Sequence, residues 1–465
     1  MTEFAPNDDQ QRLITNTDGI YLVNAGAGTG KTFTITRRYA NILDQPEIEP
    51  EDILLVTFTR NAAAEMADRI AQYSEYDPVQ LQDAPISTFH SYCYRLLRRY
   101  GYDTPTTLGI DDELPDSLEL IEDDIRETTL FRGFISRFED AHPEYQELFA
   151  TMNDPTALSS LITELASKGV IPNREGWYRD TGTVLQGDKD AFFEIFEEHN
   201  EPNEGAYSQI QSDARGALSG WDDDEHVPSA PSSDSFLNEL TVDPAAVEAA
   251  FDEDRTTLLE FVHDVYFEYL EYAIDRNYLS QSLMLAMAFV MLCEDETVRQ
   301  QVAHRYVMVD EFQDTNELQF KLSLLLASEN NICVVGDWKQ SIYGFQYTDI
   351  ENIQSFEHRL GQFKSELNTD RERISYAVDA ITEIPLRQNY RSTASILSVA
   401  KDTLTVPATN DEEVDTATID SEFTPLEATN YVDNSELHAY THEDELELIL
   451  DRIEHIVENP AYSVE

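Results

Sequence analysis

Short apolar runs recur along the chain, each bounded by polar or turn-forming residues. They lie at 20–24 (IYLVN), 53–58 (ILLVTF), 305–310 and 331–336 (NICVVG). A stretch with helical character separates the first two, and strands that alternate with helices form parallel sheets. The pattern therefore predicts an α/β fold built on a buried parallel sheet.

The region between these two groups of runs, about 103–300, has a different pattern. Apolar residues recur there at helical spacing, as at Leu258, Val262, Val265, Tyr269 and Ala273. A polar stretch at 200–235 contains WDDDEH and PSAPSSDS, and we expect it to be a disordered loop. The region is therefore predicted to be a helical domain inserted into the sheet domain.

The longest apolar run, LMLAMAFVMLC at 283–293, is too short for a bilayer, which needs ~20 residues. Neither a signal peptide nor paired cysteine spacing is evident, since Cys93, Cys293 and Cys333 are far apart in sequence. We therefore expect a cytoplasmic protein without a membrane partner.

The chain of 465 residues carries a net charge of −60, from 91 acids and 31 bases. A solvated acidic surface, as in proteins that work in concentrated salt, explains this better than an acidic tail, because the acids are dispersed. Residues 1–100 carry 14 acids and 9 bases, whereas residues 111–260 carry 37 and 9. Any polyanion is therefore expected to bind the segment with the strand pattern.

A glycine-rich segment, NAGAGTGKT at 24–32, directly follows the first predicted strand and precedes a helix. Backbone N–H groups of such a loop turn inward around phosphate oxygens. Lys31 adds a charge for the outer phosphates, and the Thr32 hydroxyl is suited to Mg²⁺. The predicted ATP cradle comprises Ala25, Gly26, Ala27, Gly28, Thr29, Gly30, Lys31 and Thr32, with Ala25 where this loop usually begins with glycine.

A second segment, VMVDEFQD at 307–314, ends an apolar strand on two adjacent acids. Bare carboxylates at the end of a buried strand are unfavourable unless a partner offsets their charge. Asp310 is predicted to hold Mg²⁺ through water, because that ion keeps much of its hydration shell. Glu311 is predicted to orient the attacking water or accept its proton.

Six segments in the same order resemble the motifs of UvrD/Rep-type superfamily 1 DNA helicases. Besides the phosphate loop they are DDQQRLI (8–14), TFTRNAAAEM (57–66), ISTFHSYCYRLL (86–97), VDEFQDTN (309–316), GDWKQSIYGF (336–345) and QNYRST (388–393). The resemblance implies an ATP-dependent, Mg²⁺-requiring 3′-to-5′ translocase or helicase acting on single-stranded DNA.

The resemblance also implies a domain arrangement. Residues 1–102 with 301–385 would form the first RecA-like domain, and 103–300 the inserted helical domain. Residues 386–465 would form the start of a second RecA-like domain.

Roles follow by position in the motifs. Gln10 would read adenine, Gln340 would sense the γ-phosphate, Tyr390 would stack on the adenine and Arg391 would serve as an arginine finger. The predicted DNA-binding residues are Thr57, Phe58, Thr59, Arg60, Thr88, Phe89, His90, Tyr343 and Phe345. Core packing is the alternative for each aromatic residue, and a structural role is the alternative for His90.

Chains of this family continue well past QNYRST, whereas this one ends at Glu465. We therefore expect slow turnover and poor unwinding by the chain alone, with a second chain, or the remainder of a split or truncated gene, completing the motor. A regulatory ATP- and DNA-binding protein without catalysis is the alternative. An unrelated phosphate-loop kinase is disfavoured by TFHS, QSIY and QNYRS.

Overall fold

The computed structural model describes residues 5–115, 117–121, 123–151, 155–180, 256–340, 351–378, 380–403 and 426–430. The chain divides into two compact units, Met1–Leu386 and Arg387–Glu465. The predicted acidic loop at 200–235 lies outside the described residues, as do Tyr343 and Phe345.

Twelve strands are described. They are β1 (Tyr21–Ala25), β2 (Ile53–Val56), β3 (Ile86–Ser87), β4 (Glu119–Ile121), β5 (Pro172–Asn173), β6 (Gly176–Trp177), β7 (Tyr278–Ser280), β8 (Tyr306–Val309), β9 (Ile332–Gly336), β10 (Thr382–Leu386), β11 (Gln388–Thr393) and β12 (Glu427–Asn430).

Fifteen α-helices are described. They are α1 (Asp8–Thr15), α2 (Lys31–Leu43), α3 (Arg60–Tyr73), α4 (Phe89–Tyr100), α5 (Thr104–Thr107), α6 (Asp124–Ala141), α7 (Gln146–Thr151), α8 (Leu158–Lys168), α9 (Thr256–Asp275), α10 (Gln281–Glu294), α11 (Glu296–Val302), α12 (Glu317–Leu325), α13 (Glu351–Gln354), α14 (Phe356–Leu367) and α15 (Ala394–Thr403).

A six-stranded sheet in the order β10-β1-β9-β8-β2-β3 forms the centre of the first unit. Every neighbouring pair in it is parallel. Each of the four strands predicted from apolar runs is present, as β1, β2, β8 and β9. The prediction of a parallel α/β fold is confirmed.

Side chains alternate between the two faces of this sheet, as the two-residue period of a strand requires. In β2, Ile53 and Leu55 join one apolar cluster, whereas Leu54 and Val56 join another. Both faces are covered, which explains why the strands read as continuous apolar runs rather than alternating ones.

One face packs mainly against α1, α2 and α3, and the other against α4, α10 and α12. Helix α10 contains the long apolar run, and every residue from Leu283 to Cys293 is buried. A helix that is apolar all round belongs in a core. No helix among the described residues is both long and apolar enough to cross a membrane.

The apolar cluster on the sheet face that packs against α4, α10 and α12 continues into the helices between α5 and α11. Helix α9 buries Val262, Val265, Tyr269 and Ala273, the face predicted from their spacing. The predicted border between a first RecA-like domain and an inserted domain stays a prediction, because the core is shared across it.

A buried ammonium group fixes α12 to its neighbours. Lys321 Nζ contacts Glu317 Oε1 at 2.7 Å and Glu366 Oε1 at 2.8 Å, and it donates to the carbonyl of Lys168 at 3.1 Å. Its three N–H groups therefore each have an acceptor. Burial lowers the pKa of Lys321, but the charges of Glu317 and Glu366 outweigh that and raise it above its usual value.

The second unit is described only in part. Strands β11 and β12 pair in parallel, and α15 follows β11 directly. Tyr390 is 42% exposed, and its hydroxyl donates to Gln388 Oε1 at 3.0 Å. The Arg391 N–H donates to Asn389 Oδ1 at 2.9 Å.

Candidate nucleotide and nucleic-acid site

The loop between β1 and α2 has the backbone of a phosphate cradle. Gly28 and Gly30 have φ angles of 74° and 83°, in the left-handed region that favours glycine. Thr29 closes the turn, since its N–H and hydroxyl donate to the Gly26 carbonyl at 3.3 Å and 2.7 Å. Helix α2 begins at Lys31 directly after this loop, and the first N–H groups of a helix have no partner within the helix.

Gln10 supports this loop from α1. Its Nε2 donates to the Thr29 carbonyl at 3.0 Å, and its Oε1 accepts from the Asn7 N–H at 3.0 Å. A Cβ at Gly30 would approach Gln10 Nε2 to 2.9 Å, so the glycine also permits this close contact. The structure places Gln10 against the phosphate loop with its amide engaged.

A contact between Lys31 and Glu311 joins the glycine-rich segment to the acidic segment. Lys31 Nζ lies 2.6 Å from Glu311 Oε2, and the Lys31 side chain is only 10% exposed. The two residues follow β1 and β8, which flank β9, so the parallel topology puts both at the carboxyl edge of the sheet. Ligands of open α/β sheets bind at this edge.

Glu311 has an unusual backbone. Its φ and ψ are 51° and 46°, the left-handed conformation, at a residue that is not glycine. Such a conformation costs on the order of 1–3 kcal/mol and persists where the surroundings enforce it. It directs the chain from β8 into the short turn Phe312–Asp314 and leaves the Glu311 carboxylate facing Lys31.

Asp310 is 4% exposed, and its Oδ1 has no hydrogen-bond partner among the described residues. Burial raises the pKa of Asp310, and the neighbouring charge of Glu311 raises it further, while Lys31 opposes the rise. Burial and the charge of Glu311 also raise the pKa of Asp314 to about 6. These carboxylates lie where ionisation is penalised unless a cation arrives.

The oxygen donors fit Mg²⁺. The unpartnered Asp310 Oδ1 and the Thr32 hydroxyl are hard oxygen ligands, which Mg²⁺ prefers together with water and phosphate oxygens. The described residues contain no cluster of three or more His, Cys, Asp or Glu suited to a metal. A site with few protein ligands is typical of Mg²⁺ that arrives with a nucleotide.

Several residues predicted to bind DNA lie directly beside these acids. A cavity of about 20 Å³ is lined by Thr57, Phe58, Thr88, Phe89, His90, Asp310, Glu311, Asp314, Thr315 and Gln319. Phe58 is 36% exposed, whereas Phe89 is 6% exposed and packs in the apolar core. Phe89 therefore both packs in the core and lines this cavity, and its predicted contact with DNA stays a prediction.

Two of the threonines predicted to bind DNA, Thr59 and Thr88, are the N-cap residues of helices. Thr59 Oγ1 accepts from the Ala62 N–H and caps α3, and Thr88 Oγ1 accepts from the Ser91 N–H and caps α4, each at 3.1 Å. Arg60 is the first residue of α3. It lines a second cavity of about 300 Å³ together with Thr88 and Arg95.

Residues 6–361 match the family model of the UvrD/REP helicase N-terminal domain. The chain belongs to the UvrD/REP helicase family. It is similar to the ATP-dependent DNA helicase PcrA of Staphylococcus aureus and of Staphylococcus epidermidis, with 30% identity over 404 residues in each case. The alignment covers 86% of this chain and 40% of each relative. The chain therefore spans less than half the length of these relatives.

In this member of the UvrD/REP family, Gln340 ends a short turn, Trp338–Gln340, that follows β9. Its Nε2 donates to Asp337 Oδ2 at 2.6 Å, and Lys339 Nζ contacts Asp337 Oδ1 at 2.8 Å. The first unit thus holds Gln10, the phosphate loop, the paired acids and Gln340 at or near one edge. Tyr390 and Arg391 belong to the second unit, and their predicted roles stay predictions.

Sequence reasoning missed Gln313 and Asp314. Both are buried, and both contact or neighbour the paired acids. The available signal was the position of two more polar residues, QD, immediately after DEF at the end of an apolar strand. Buried polar residues need partners, so a polar continuation past a buried strand indicates an extended site.

Proposed function

We propose that this chain binds ATP with Mg²⁺ and single-stranded DNA, and hydrolyses ATP as the motor portion of a 3′-to-5′ DNA translocase or helicase. Membership of the UvrD/REP family supports this, as does the similarity to relatives named ATP-dependent DNA helicases. The observation that carries the proposal is the 2.6 Å contact between Lys31 and Glu311, beside a cavity lined by Thr57, Thr88 and His90.

The proposed chemistry assigns one task to each group. Lys31 and the N-terminus of α2 bind the outer phosphates, which draws the ammonium away from Glu311. Asp310 and the Thr32 hydroxyl hold Mg²⁺, which when bound neutralises charge on the phosphate oxygens. Glu311 orients the attacking water and accepts its proton as the water oxygen bonds to the γ-phosphorus, while the bond from that phosphorus to the bridging oxygen breaks and ADP leaves.

Aromatic stacking is proposed to contribute much of the DNA affinity. Phe58 is exposed beside Asp310, Glu311 and Asp314, the acids following β8 that form what we call the acid edge. Base stacking on an aromatic ring is worth roughly 1–3 kcal/mol per base. In a chain with a net charge of −60, we expect few contacts with DNA phosphates and strong electrostatic repulsion. We expect a shallower salt dependence of DNA affinity than a basic helicase shows, and a filter-binding salt titration measures it.

The test of the central proposal is phosphate release by the 465-residue chain in high salt, with and without oligo-dT. Robust stimulation by oligo-dT would contradict the expectation that a second chain completes the motor, since from this chain alone we expect only slow Mg²⁺-dependent hydrolysis. Lys31→Ala should abolish it and weaken the binding of mant-ATP, a fluorescent ATP analogue. Unchanged nucleotide affinity in Lys31→Ala would contradict the proposed cradle.

Nucleotide and DNA binding without turnover would instead support the alternative of a non-catalytic binding protein. A second chain that completes the motor would appear as turnover restored by that chain at a fixed stoichiometry. We place this activity in the cytoplasm, where the chain would meet single-stranded DNA.

A further inference from the structure

Gln313 uses both ends of its side-chain amide within the acid edge. Its Nε2 donates to Glu311 Oε2 at 2.9 Å and to Asp314 Oδ2 at 3.1 Å, and its Oε1 accepts from the Asp337 N–H at 2.9 Å. The residue is 2% exposed. It therefore bridges the ends of β8 and β9 inside the protein.

Chemistry fixes the orientation of this amide. Ionised carboxylates only accept hydrogen bonds, so they face the NH₂ group, whereas a backbone N–H only donates and faces the carbonyl. If the amide were flipped, its oxygen would face the carboxylate oxygens and its NH₂ group would face the Asp337 N–H. A glutamate or an apolar residue at this position cannot reproduce all three bonds.

The approach of the two strand ends depends on Gly336, the last residue of β9. A Cβ at Gly336 would lie 2.6 Å from Gln313 Oε1 and 3.1 Å from the Gln313 backbone nitrogen. A side chain at this position would therefore displace the Gln313 amide from its present place, so the glycine lets Gln313 Oε1 accept from the Asp337 N–H. The bridge is built into the packing of both strands.

The hydrogen bonds continue beyond Asp337. Its carboxylate accepts from Gln340 Nε2 at 2.6 Å and contacts Lys339 Nζ at 2.8 Å. A continuous series therefore runs from Lys31 through Glu311, Gln313 and Asp337 to Gln340. The same Glu311 oxygen, Oε2, receives both Lys31 and Gln313.

We propose that Gln313 is a positioning residue that couples the carboxylate of Glu311 to the Trp338–Gln340 turn. The inference rests on the proposed function, because it requires that nucleotide phosphates take up Lys31. Once Lys31 leaves Glu311, Gln313 remains to hold that carboxylate. Any shift of the carboxylate then moves the amide, the Asp337 N–H and the turn together.

The turn carries its own reporter, Trp338. The chain has three tryptophans, Trp177, Trp221 and Trp338, so Trp177→Phe with Trp221→Phe leaves one emitter. In this background we expect ATPγS to change the Trp338 emission of the full chain. Gln313→Ala should abolish that response while the Kd for mant-ADP changes less than about threefold.

Turnover provides the second readout. Misplacement of a reacting group by about 1 Å can cost roughly hundredfold in rate, so kcat should fall by roughly that factor in Gln313→Ala while KM changes little. Gln313→Met keeps the volume but none of the polar bonds and should behave the same, which separates lost bonding from a cavity. A cooperative urea transition verifies that each variant is folded.

Gln45 offers a matched control, because it is also a bridging glutamine. Its Nε2 donates to Thr17 Oγ1 at 2.9 Å, and its Oε1 accepts from the hydroxyl of Tyr306 at 3.4 Å, at the opposite end of β8. Gln45→Ala should keep the Trp338 response and kcat.

A Trp338 response that survives in folded Gln313→Ala and Gln313→Met would overturn the coupling while leaving the proposed function intact. Loss of mant-ADP binding in every protein, the parent included, would overturn both.

Discussion

Two buried ionic groups in the first unit are satisfied in opposite ways. Lys321, between α8, α12 and α14, has an acceptor for each of its three N–H groups. Asp310, at the end of β8, has a buried oxygen with no partner among the described residues, and so has Asp314. A buried charge that is fully paired supports the fold, whereas one left unpaired is kept for a ligand.

The largest effect expected from this contrast concerns chemistry at the acid edge. Glu311→Gln keeps the side-chain volume but removes the proton acceptor, so kcat for ATP should fall by about 10²–10⁴-fold. The urea midpoint should change little, because the amide oxygen introduced by the substitution still accepts from Lys31 and Gln313. Steady-state phosphate release measures the first quantity and urea unfolding the second.

A Glu311→Gln variant that hydrolyses ATP at the parent's rate would remove Glu311 from the proposed chemistry. A variant that instead unfolds would show that the acid edge also supports the fold, contrary to the comparison.

Lys321→Met should have the reverse effect, with a large change in stability and little change in kcat. Breaking a buried ion pair by removing one partner costs about 3–5 kcal/mol, since the remaining charge stays buried. Urea unfolding at constant salt measures this. Arg69→Met is the control, because its side chain is 37% exposed and pairs with Glu65, which is 60% exposed; a surface pair contributes about 0–1 kcal/mol.

Asp310→Asn should stabilise the chain in the absence of nucleotide, by about 1–2 kcal/mol near pH 8. The pKa of Asp310 is raised in the folded state, so the native state binds more protons than the unfolded state above its usual pKa. The parent therefore loses stability as pH rises through that window, and the variant does not.

Urea unfolding at about pH 5 and pH 8 in the presence of EDTA tests this, with the exposed Asp44→Asn as a control that should stay within about 0.5 kcal/mol. A pH-independent difference between Asp310→Asn and the parent would show that desolvation is not the cause. The variant should also lose the stabilisation that Mg²⁺ and nucleotide give the parent.

The smallest expected effect on stability concerns an ion pair that is only partly exposed to solvent. His142 contacts Glu144 at 2.9 Å and Glu268 at 2.8 Å. Burial lowers its pKa, but the hydrogen bond to Glu144 and the charges of both acids outweigh that, so the pKa is raised. The stabilisation is therefore complete below the usual pKa of histidine and is lost as pH rises through the raised value.

His142→Asn should remove this pH dependence, with a difference below about 1 kcal/mol because solvent and salt screen the pair. Thermal unfolding of parent and variant from about pH 5.5 to 8.5 measures it. A constant difference in Tm across that range would contradict the assignment.

The sheet was predictable where strands are buried on both faces. The runs at 20–24, 53–58, 305–310 and 331–336 became β1, β2, β8 and β9 because such strands need continuous apolar sequence. β10 was not predicted. Its sequence, TEIPL, contains an acid and a proline, and its place beside β1 is set by contacts with residues far away in sequence, such as Tyr21 with Thr382.

The candidate site was predictable where a short segment carries the whole geometry, as in NAGAGTGKT and in DE at 310–311. The contact of Lys31 with Glu311 follows from two parallel strands ending at one edge. The bridge through Gln313 does not, because it depends on the left-handed backbone at Glu311 and on the close approach of Gly336. No local pattern encodes a meeting of two strand ends.

The edge strands of the six-stranded sheet affect the tendency of the protein to aggregate at high concentration. One outer strand, β10, contains Pro385, which has no N–H to offer, and the other, β3, is only two residues long. An outer strand with a row of unused N–H groups invites another molecule to add to it and start an aggregate. Among the described residues, the two outer strands therefore offer few N–H groups in a row, which disfavours the addition of a strand from another molecule.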